Sequence, residues 1–258
     1  MAVKINAVRQ RLRAGHTVVG IIVFTASPMV VEIAAASGLD FVILDMEHSP
    51  LDLDRAGHLM RAADAAGITP FVRIPGVDRA LINKLLNLGA AGIVLPHANS
   101  VNCSELLKAM RYAPEGERGS CQITRAAGYV RGNWDDYASM ANEEVMAIAL
   151  VEDAATLVNF EAFAGLDGID AYFVGPTDLS IALGVPGATF DDKTLGTALN
   201  EVIAATKKHG KYAMTLIGNK LEPGYATRVA QRGVQIIVLG TDGDLFANAI
   251  TSFSSLKS

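Results

Sequence analysis

The feature that most constrains this chain is a recurring pattern: a short apolar run followed by an amphipathic stretch, eight times over. The runs are Val18 to Phe24, Phe41 to Asp45, Thr69 to Ile74, Ala91 to Leu95, Met146 to Glu152, Ala171 to Gly175, Tyr212 to Ile217 and Gln235 to Gly240. They are continuously apolar rather than alternating, as strands covered on both faces of a parallel sheet are. Parallel neighbours need crossover connections, and Leu51 to Ala66, Arg79 to Leu88, Val101 to Met110 and Leu221 to Gln231 have helical spacing. Gly38, Gly67, Gly89, Gly210 and Gly233 stand where such helices should stop. Eight β/α units in 258 residues predict an α/β fold, a (β/α)8 TIM barrel, with residues 1–258 forming a single domain.

Half of the residues are apolar and 19% are charged, enough for a large core. A formal charge of −5 argues against a surface that neutralises phosphate backbones, so no nucleic acid is expected as partner. No uncharged apolar run reaches the roughly 18 to 20 residues of a membrane helix, so no membrane partner is expected either. Lys4, Arg9, Arg11 and Arg13 precede the first acidic residue, Glu32. That stretch lacks a secretory apolar region and reads as a short solvated helix rather than a targeting segment. Cys103 and Cys121 are too few for a disulfide framework; as buried structural thiols they fit a cytoplasmic protein. The longest interruption, Tyr112 to Glu144, is expected to overhang the active face.

In a barrel of this kind chemistry occurs at the carboxyl ends of the strands, and the ionisable residues gather there. The second run ends in Asp45, Glu47 and His48, the third in Arg73, and the fourth is followed by His97. The fifth ends at Glu152 and Asp153, and the sixth runs into Gly175, Pro176, Thr177 and Asp178. Glu152 and Asp178 come from adjacent strands, so two hard oxygen ligands can converge on one cation and leave its other positions to water and substrate. The competing reading is that one of these carboxylates caps the following helix. Arg73 leaves an apolar strand and needs either an anionic ligand or an internal partner, Asp45 or Glu47. His48 is the natural acid/base group of this rim. His97 is the weaker candidate, and His16, His58 and His209 read as surface residues. None of the eight runs contains lysine, which leaves a Schiff-base mechanism only Lys220, in the loop after the seventh run. The last loop, GTDGD, is acidic where barrel phosphate sites usually form, so a phosphorylated substrate is disfavoured.

Seven segments in order, GIIVFTASP, LDMEHSP, FVRIP, LLNLGAAGIVLPH, RYAPEGERG, ALVED and VGPTDLSIALG, resemble the HpcH/HpaI aldolases, a family of metal-dependent pyruvate aldolases on a phosphoenolpyruvate/pyruvate-type barrel. The resemblance covers nearly the whole chain. It implies a divalent metal (Mg2+, Mn2+ or Co2+) on Glu152 and Asp178, and Arg73 at the keto oxygen. It further implies the backbone of Gly175, Pro176, Thr177 and Asp178 at the pyruvate carboxylate, and His48 in acid/base work; Asp45, Glu47 and Asn87 are read as supporting residues of this rim. The substrates it implies are a 2-oxoacid and an aldehyde, the assembly a homohexamer with sites near subunit interfaces. One departure stands out: the family usually has aspartate in LLDLGA, paired with the histidine, often across a subunit interface, where this chain has Asn87.

The function expected is cleavage or formation of 4-hydroxy-2-oxoacids through a pyruvate enolate. Two alternatives stay open: a condensing synthase that uses an oxaloacetate or pyruvate enolate, for example to form citrate, and a non-catalytic barrel that binds metal and 2-oxoacid.

Overall fold

The computed structural model of the chain describes residues 4–129 and 132–253. Eight parallel strands close in sequence order into a barrel, β8 pairing with β1. They are β1 (Val18–Val23), β2 (Phe41–Asp45), β3 (Thr69–Arg73), β4 (Gly92–Leu95), β5 (Met146–Val151), β6 (Ala171–Val174), β7 (Tyr212–Leu216) and β8 (Ile236–Thr241). Each lies within one residue of its expected boundary at either end. The helices are α1 (Ala7–Arg13), α2 (Pro28–Ala36), α3 (Leu53–Ala66), α4 (Arg79–Leu88), α5 (Ser100–Met110), α6 (Trp134–Glu144), α7 (Ala154–Leu157), α8 (Phe160–Ala164), α9 (Pro176–Ala182), α10 (Lys193–Lys208), α11 (Pro223–Gln231) and α12 (Asp242–Thr251).

The continuous apolar runs are explained by two cores that share the strands. Ile22, Ile43, Phe71, Val94, Ile148, Phe173, Met214 and Val238 fill the barrel interior. Their neighbours Val23, Leu44, Val72, Leu95, Ala149, Val174 and Ile237 point outward beneath the helices. Side chains alternate between faces along each strand, and both faces are dry. Helix boundaries follow local chemistry. Asp52 and Asp78 accept N–H groups at the starts of α3 and α4. Gly67 and Gly89 end the same helices at φ 76° and 106°, a region that favours glycine.

Three expectations are corrected. The N-terminal helix α1 is not simply solvated: Val8 and Leu12 are buried and join the interior cluster, so α1 stoppers the amino end of the barrel. The basic residues Arg11 and Arg13 occupy its other face, where both are exposed. Cys103 is buried, and burial pushes its thiol up to about 12, but Cys121 is exposed. The described part of the Tyr112–Glu144 segment does not overhang the mouth of this barrel, because it follows α5 and not a strand. It therefore connects at the amino ends of the strands, packing Tyr112, Ala127, Tyr137, Ala138 and Ala141 into a separate small core. Arg125 binds Leu88 O at 2.8 Å and pairs with Asp64, which straps the segment to α3 and α4.

Candidate active site

At the carboxyl rim, β2 and β3 pair with Asp45 directly beside Arg73. Asp45 is fully buried and accepts Arg73 Nε at 2.8 Å and Arg73 Nη2 at 2.9 Å, a bidentate clamp. The same carboxylate receives the backbone N–H groups of Glu47 (3.1 Å) and His48 (3.2 Å), so it shapes the loop after β2 as well. Burial works against the Arg73 charge, but the bonds to Asp45 and the fields of Asp45, Glu47 and Glu152 hold its pKa above the ordinary value. The guanidinium is a fixed cation.

Glu47 lies beside this clamp. Its Oε2 is buried without a hydrogen-bond partner, 3.4 Å from Arg73 Nε and 3.6 Å from His48 Nε2. Burial raises the Glu47 pKa, against the opposing pull of Arg73 and His48. The His48 ring is exposed at the rim and free to meet a ligand.

Across the mouth, Glu152 follows β5 and is 5% exposed. Its Oε1 accepts the His97 backbone N–H at 2.7 Å, which places that carboxylate. His97 has φ 46°, a left-handed backbone in a residue other than glycine, and its Nδ1 lies 3.2 Å from Asp153 Oδ2. This role of His97 went unread in the sequence, where only a histidine after Pro96 is visible. Glu152 Oε2 faces Gly175: a methyl group placed on Gly175 would sit 3.3 Å from it. Burial raises the Glu152 pKa, the His97 N–H and ring lower it, and the charges of Glu47 and Asp178 raise it further. Glu47, Arg73, Glu152 and Asp178 therefore act on one another across a single rim.

The capping alternative fails for both acids. Gly175 is the N-cap of α9 and Asp178 lies within its first turn, accepting no capping bond among the described residues. Asp153 precedes α7 but makes no capping bond and faces His97 instead. Glu152 and Asp178 thus offer carboxylate oxygens that no helix end uses, which fits a hard dication with open positions. Among the described residues, no group of three or more histidine, cysteine or acidic side chains is arranged to hold a metal.

One supporting expectation changes. The Gly175 N–H is engaged by Val151 O at 3.1 Å and Pro176 has none, so only Thr177 and Asp178 have backbone donors to offer a ligand there. Asn87, on α4, does not meet His48 within the chain: its Oδ1 accepts Arg118 Nη2 at 3.1 Å. Asp242 is an unanticipated structural acid, accepting the N–H groups of Phe24 (3.0 Å) and Thr25 (3.1 Å) and the Thr25 hydroxyl (2.6 Å). It ties the loop after β1 to the end of β8. Lys220 is held by Asp191 at 3.0 Å, outside this constellation.

The family model of the HpcH/HpaI aldolase/citrate lyase proteins matches residues 19–249. The chain belongs to that family. Membership in the HpcH/HpaI family makes it a carbon-carbon lyase by class, on the TIM barrel expected. A 2-keto-3-deoxy-L-rhamnonate aldolase of Salmonella gallinarum is 30% identical over 98% of this chain and 95% of the relative. The crystal structure of an HpcH/HpaI aldolase from Desulfitobacterium hafniense is 28% identical with a TM-score of 0.89, over 97% of this chain and 96% of that one. The crystal structure of the citrate synthase SbnG is 32% identical with a TM-score of 0.84, over 97% of both chains. No helix among the described residues is long and apolar enough to cross a membrane.

Proposed function

We propose that this HpcH/HpaI protein cleaves, or in reverse forms, 4-hydroxy-2-oxoacids, releasing pyruvate and an aldehyde, with a divalent metal held by Glu152 and Asp178. What supports this reading is that Glu152 and Asp178, neither of them used by a helix end, stand on the same rim as Arg73, locked by Asp45, and the exposed His48 imidazole. The named substrate of the Salmonella relative, with its 2-keto group and deoxygenated carbon 3, belongs to the same chemical class.

A bound dication would supply Lewis-acid stabilisation of negative charge on the 2-oxoacid's oxygens. Arg73, fixed by Asp45, binds the keto oxygen and stabilises the charge that develops there as the bond breaks. This is preorganised electrostatics, since the clamp is made before substrate arrives. The Thr177 and Asp178 N–H groups receive the substrate carboxylate. His48 accepts the proton of the hydroxyl on carbon 4. The bond between carbons 3 and 4 then breaks, its electron pair passes into the pyruvate enolate, and the aldehyde leaves. Protonation of carbon 3 by the imidazolium restores the histidine. Glu47, beside both Arg73 and His48, supports the charged imidazolium. The assembly carried forward is a homohexamer in the cytoplasm, in which a neighbouring copy would bring Asn87 toward His48; light scattering reads its mass.

The test is pyruvate release from a panel of 4-hydroxy-2-oxoacids with Mn2+ or Mg2+. Activity that withstands a chelator, or an imine trapped by borohydride, overturns the reading.

A condensing synthase is the second reading, favoured by the likeness to the citrate synthase and by Asn87 in the usual aspartate position. Oxaloacetate offered with candidate acceptors separates the two: a condensation product without cleavage of any 4-hydroxy-2-oxoacid selects the synthase. Metal binding without turnover or pyruvate proton exchange selects a non-catalytic binder.

A further inference from the structure

The segment RYAPEGERG takes no part in the chemistry above, yet it places two arginines at the amino end of the barrel where charge is expensive. Arg111 and Arg118 are 8% and 7% exposed, and neither forms an ion pair among the described residues. Buried guanidinium groups are ordinarily matched by a carboxylate. Here the partners are neutral. Arg111 Nη1 donates to Val145 O at 2.8 Å, Arg118 Nη2 donates to Asn87, and the Arg118 guanidinium stacks on Tyr112 at 4.3 Å. Arg118 Nε is buried with no acceptor at all. Arg9 adds a third cation to this end and pairs with Asp170 at 2.8 Å, an acid whose field also reaches Arg111. Burial lowers the pKa of Arg118, and no carboxylate figures among the groups that act on it.

Beside Arg118 lies a cavity of about 150 Å3. Its walls are largely aliphatic, with Ile5, Ile68, Leu86, Ala141 and Val145 among them, and Tyr137 stands next to the arginine's stacking partner. A space of this order accepts a benzene-sized body. The polar walls Asp64 and Glu144 are already engaged, Asp64 by Lys4 and Arg125, and Glu144 by the Asn6 N–H at 2.6 Å.

We propose that this cavity is a second binding site, taking a small organic carboxylate whose apolar body fills the aliphatic chamber and whose charge meets Arg118. Within its own barrel it lies at the end opposite Glu152 and Asp178. An apolar ligand alone would leave the guanidinium uncompensated, and an inorganic anion would leave the chamber unfilled. A short carboxylate does both.

The probe is 4-fluorobenzoate, titrated into the full-length protein and followed by 19F NMR and calorimetry, with 4-fluorobenzyl alcohol as the neutral analogue. Saturable binding is expected, weakened at least about tenfold in Arg118→Met, as loss of a charge-assisted contact implies. Ala141→Leu, which fills the chamber and leaves the arginine in place, should weaken it equally. Asn87→Asp, which hands Arg118 a carboxylate of its own, should weaken it too. Arg73→Met combined with Asp45→Asn, which removes the far-rim cation without stranding its buried partner's charge, should bind as wild type does. Equal binding by the neutral analogue, equal binding in Ala141→Leu and Asn87→Asp, or loss of binding in that paired variant instead overturns the proposal. So does a wild-type protein that binds no probe, the result expected if a second copy of the chain supplies the missing carboxylate. If Arg118→Met does not fold, the other variants decide.

Discussion

Asp45 and Arg73 lie side by side on paired strands and share two parallel hydrogen bonds of 2.8 and 2.9 Å inside the barrel rim. Removing one member leaves the other charged and buried, which ordinarily costs about 3–5 kcal/mol. Asp45→Ala is expected to lose stability of that order in urea denaturation. Arg73 also loses its aim, so kcat should fall further than KM rises for any 4-hydroxy-2-oxoacid that the wild type turns over.

Glu152→Gln keeps the shape of the side chain and its bond from the His97 N–H but removes the anionic oxygen facing Gly175. Calorimetric Mn2+ affinity should fall by more than the about 10- to 100-fold typical of disturbed outer-shell partners, with turnover following. Lys220→Ala should retain turnover. Unchanged Mn2+ binding in the glutamine variant would remove Glu152 from the proposed ligand pair.

Gly175→Ala introduces a methyl group 3.2 Å from Leu150 Cδ1 and 3.3 Å from both Oε2 and Cβ of Glu152. With φ at −85° the backbone accepts alanine without strain, so the crowding falls on the Glu152 carboxylate and on the Leu150 side chain. Mn2+ affinity is expected to drop about tenfold while the thermal midpoint stays near wild type. A large fall in the midpoint would show that the glycine serves packing instead.

Glu47 supplies the pH dependence. Burial raises its pKa in the folded chain above the unfolded value. A carboxyl group shifted this way favours folding while protonated, and that contribution is lost as pH rises through the folded pKa. Relative to Glu47→Gln, the wild type should therefore lose stability between acidic and neutral pH, whereas below the ordinary carboxylate range the difference should level off. Denaturation midpoints measured in urea across that interval check the sign.

The architecture was readable because both faces of every strand are covered, which forces uninterrupted apolar runs, and because Gly67 and Gly89 mark helix ends with a conformation other residues avoid. The charges of the rim are visible in the sequence because they are kept out of the strand interiors and stand at the last strand residue, as Asp45 and Arg73 do, or just beyond it. Other features depend on contacts between residues distant in sequence. Nothing near Asn87 announces that Arg118 will take its amide oxygen. Nothing near His97 announces that its backbone N–H will hold Glu152. Counted from β4, the Tyr112–Glu144 segment looks like an insertion at the reactive rim; α5 intervenes, and each helix returns the chain to the opposite rim. In α1 the run of basic residues masks Val8 and Leu12, the two apolar side chains that decide which face is buried.

The pairing of β1 with β8 has a consequence for biosynthesis. Gly20 aligns with Val238, so the first strand translated waits for the last before its outer edge is satisfied. Until then the nascent sheet is an open ribbon with an unprotected border, the kind of surface that recruits other chains. A truncation that removes the final β/α unit would thus forfeit the ring itself, together with the Asp242 latch on Phe24 and Thr25, and leave a sheet prone to aggregate rather than a slightly shorter enzyme.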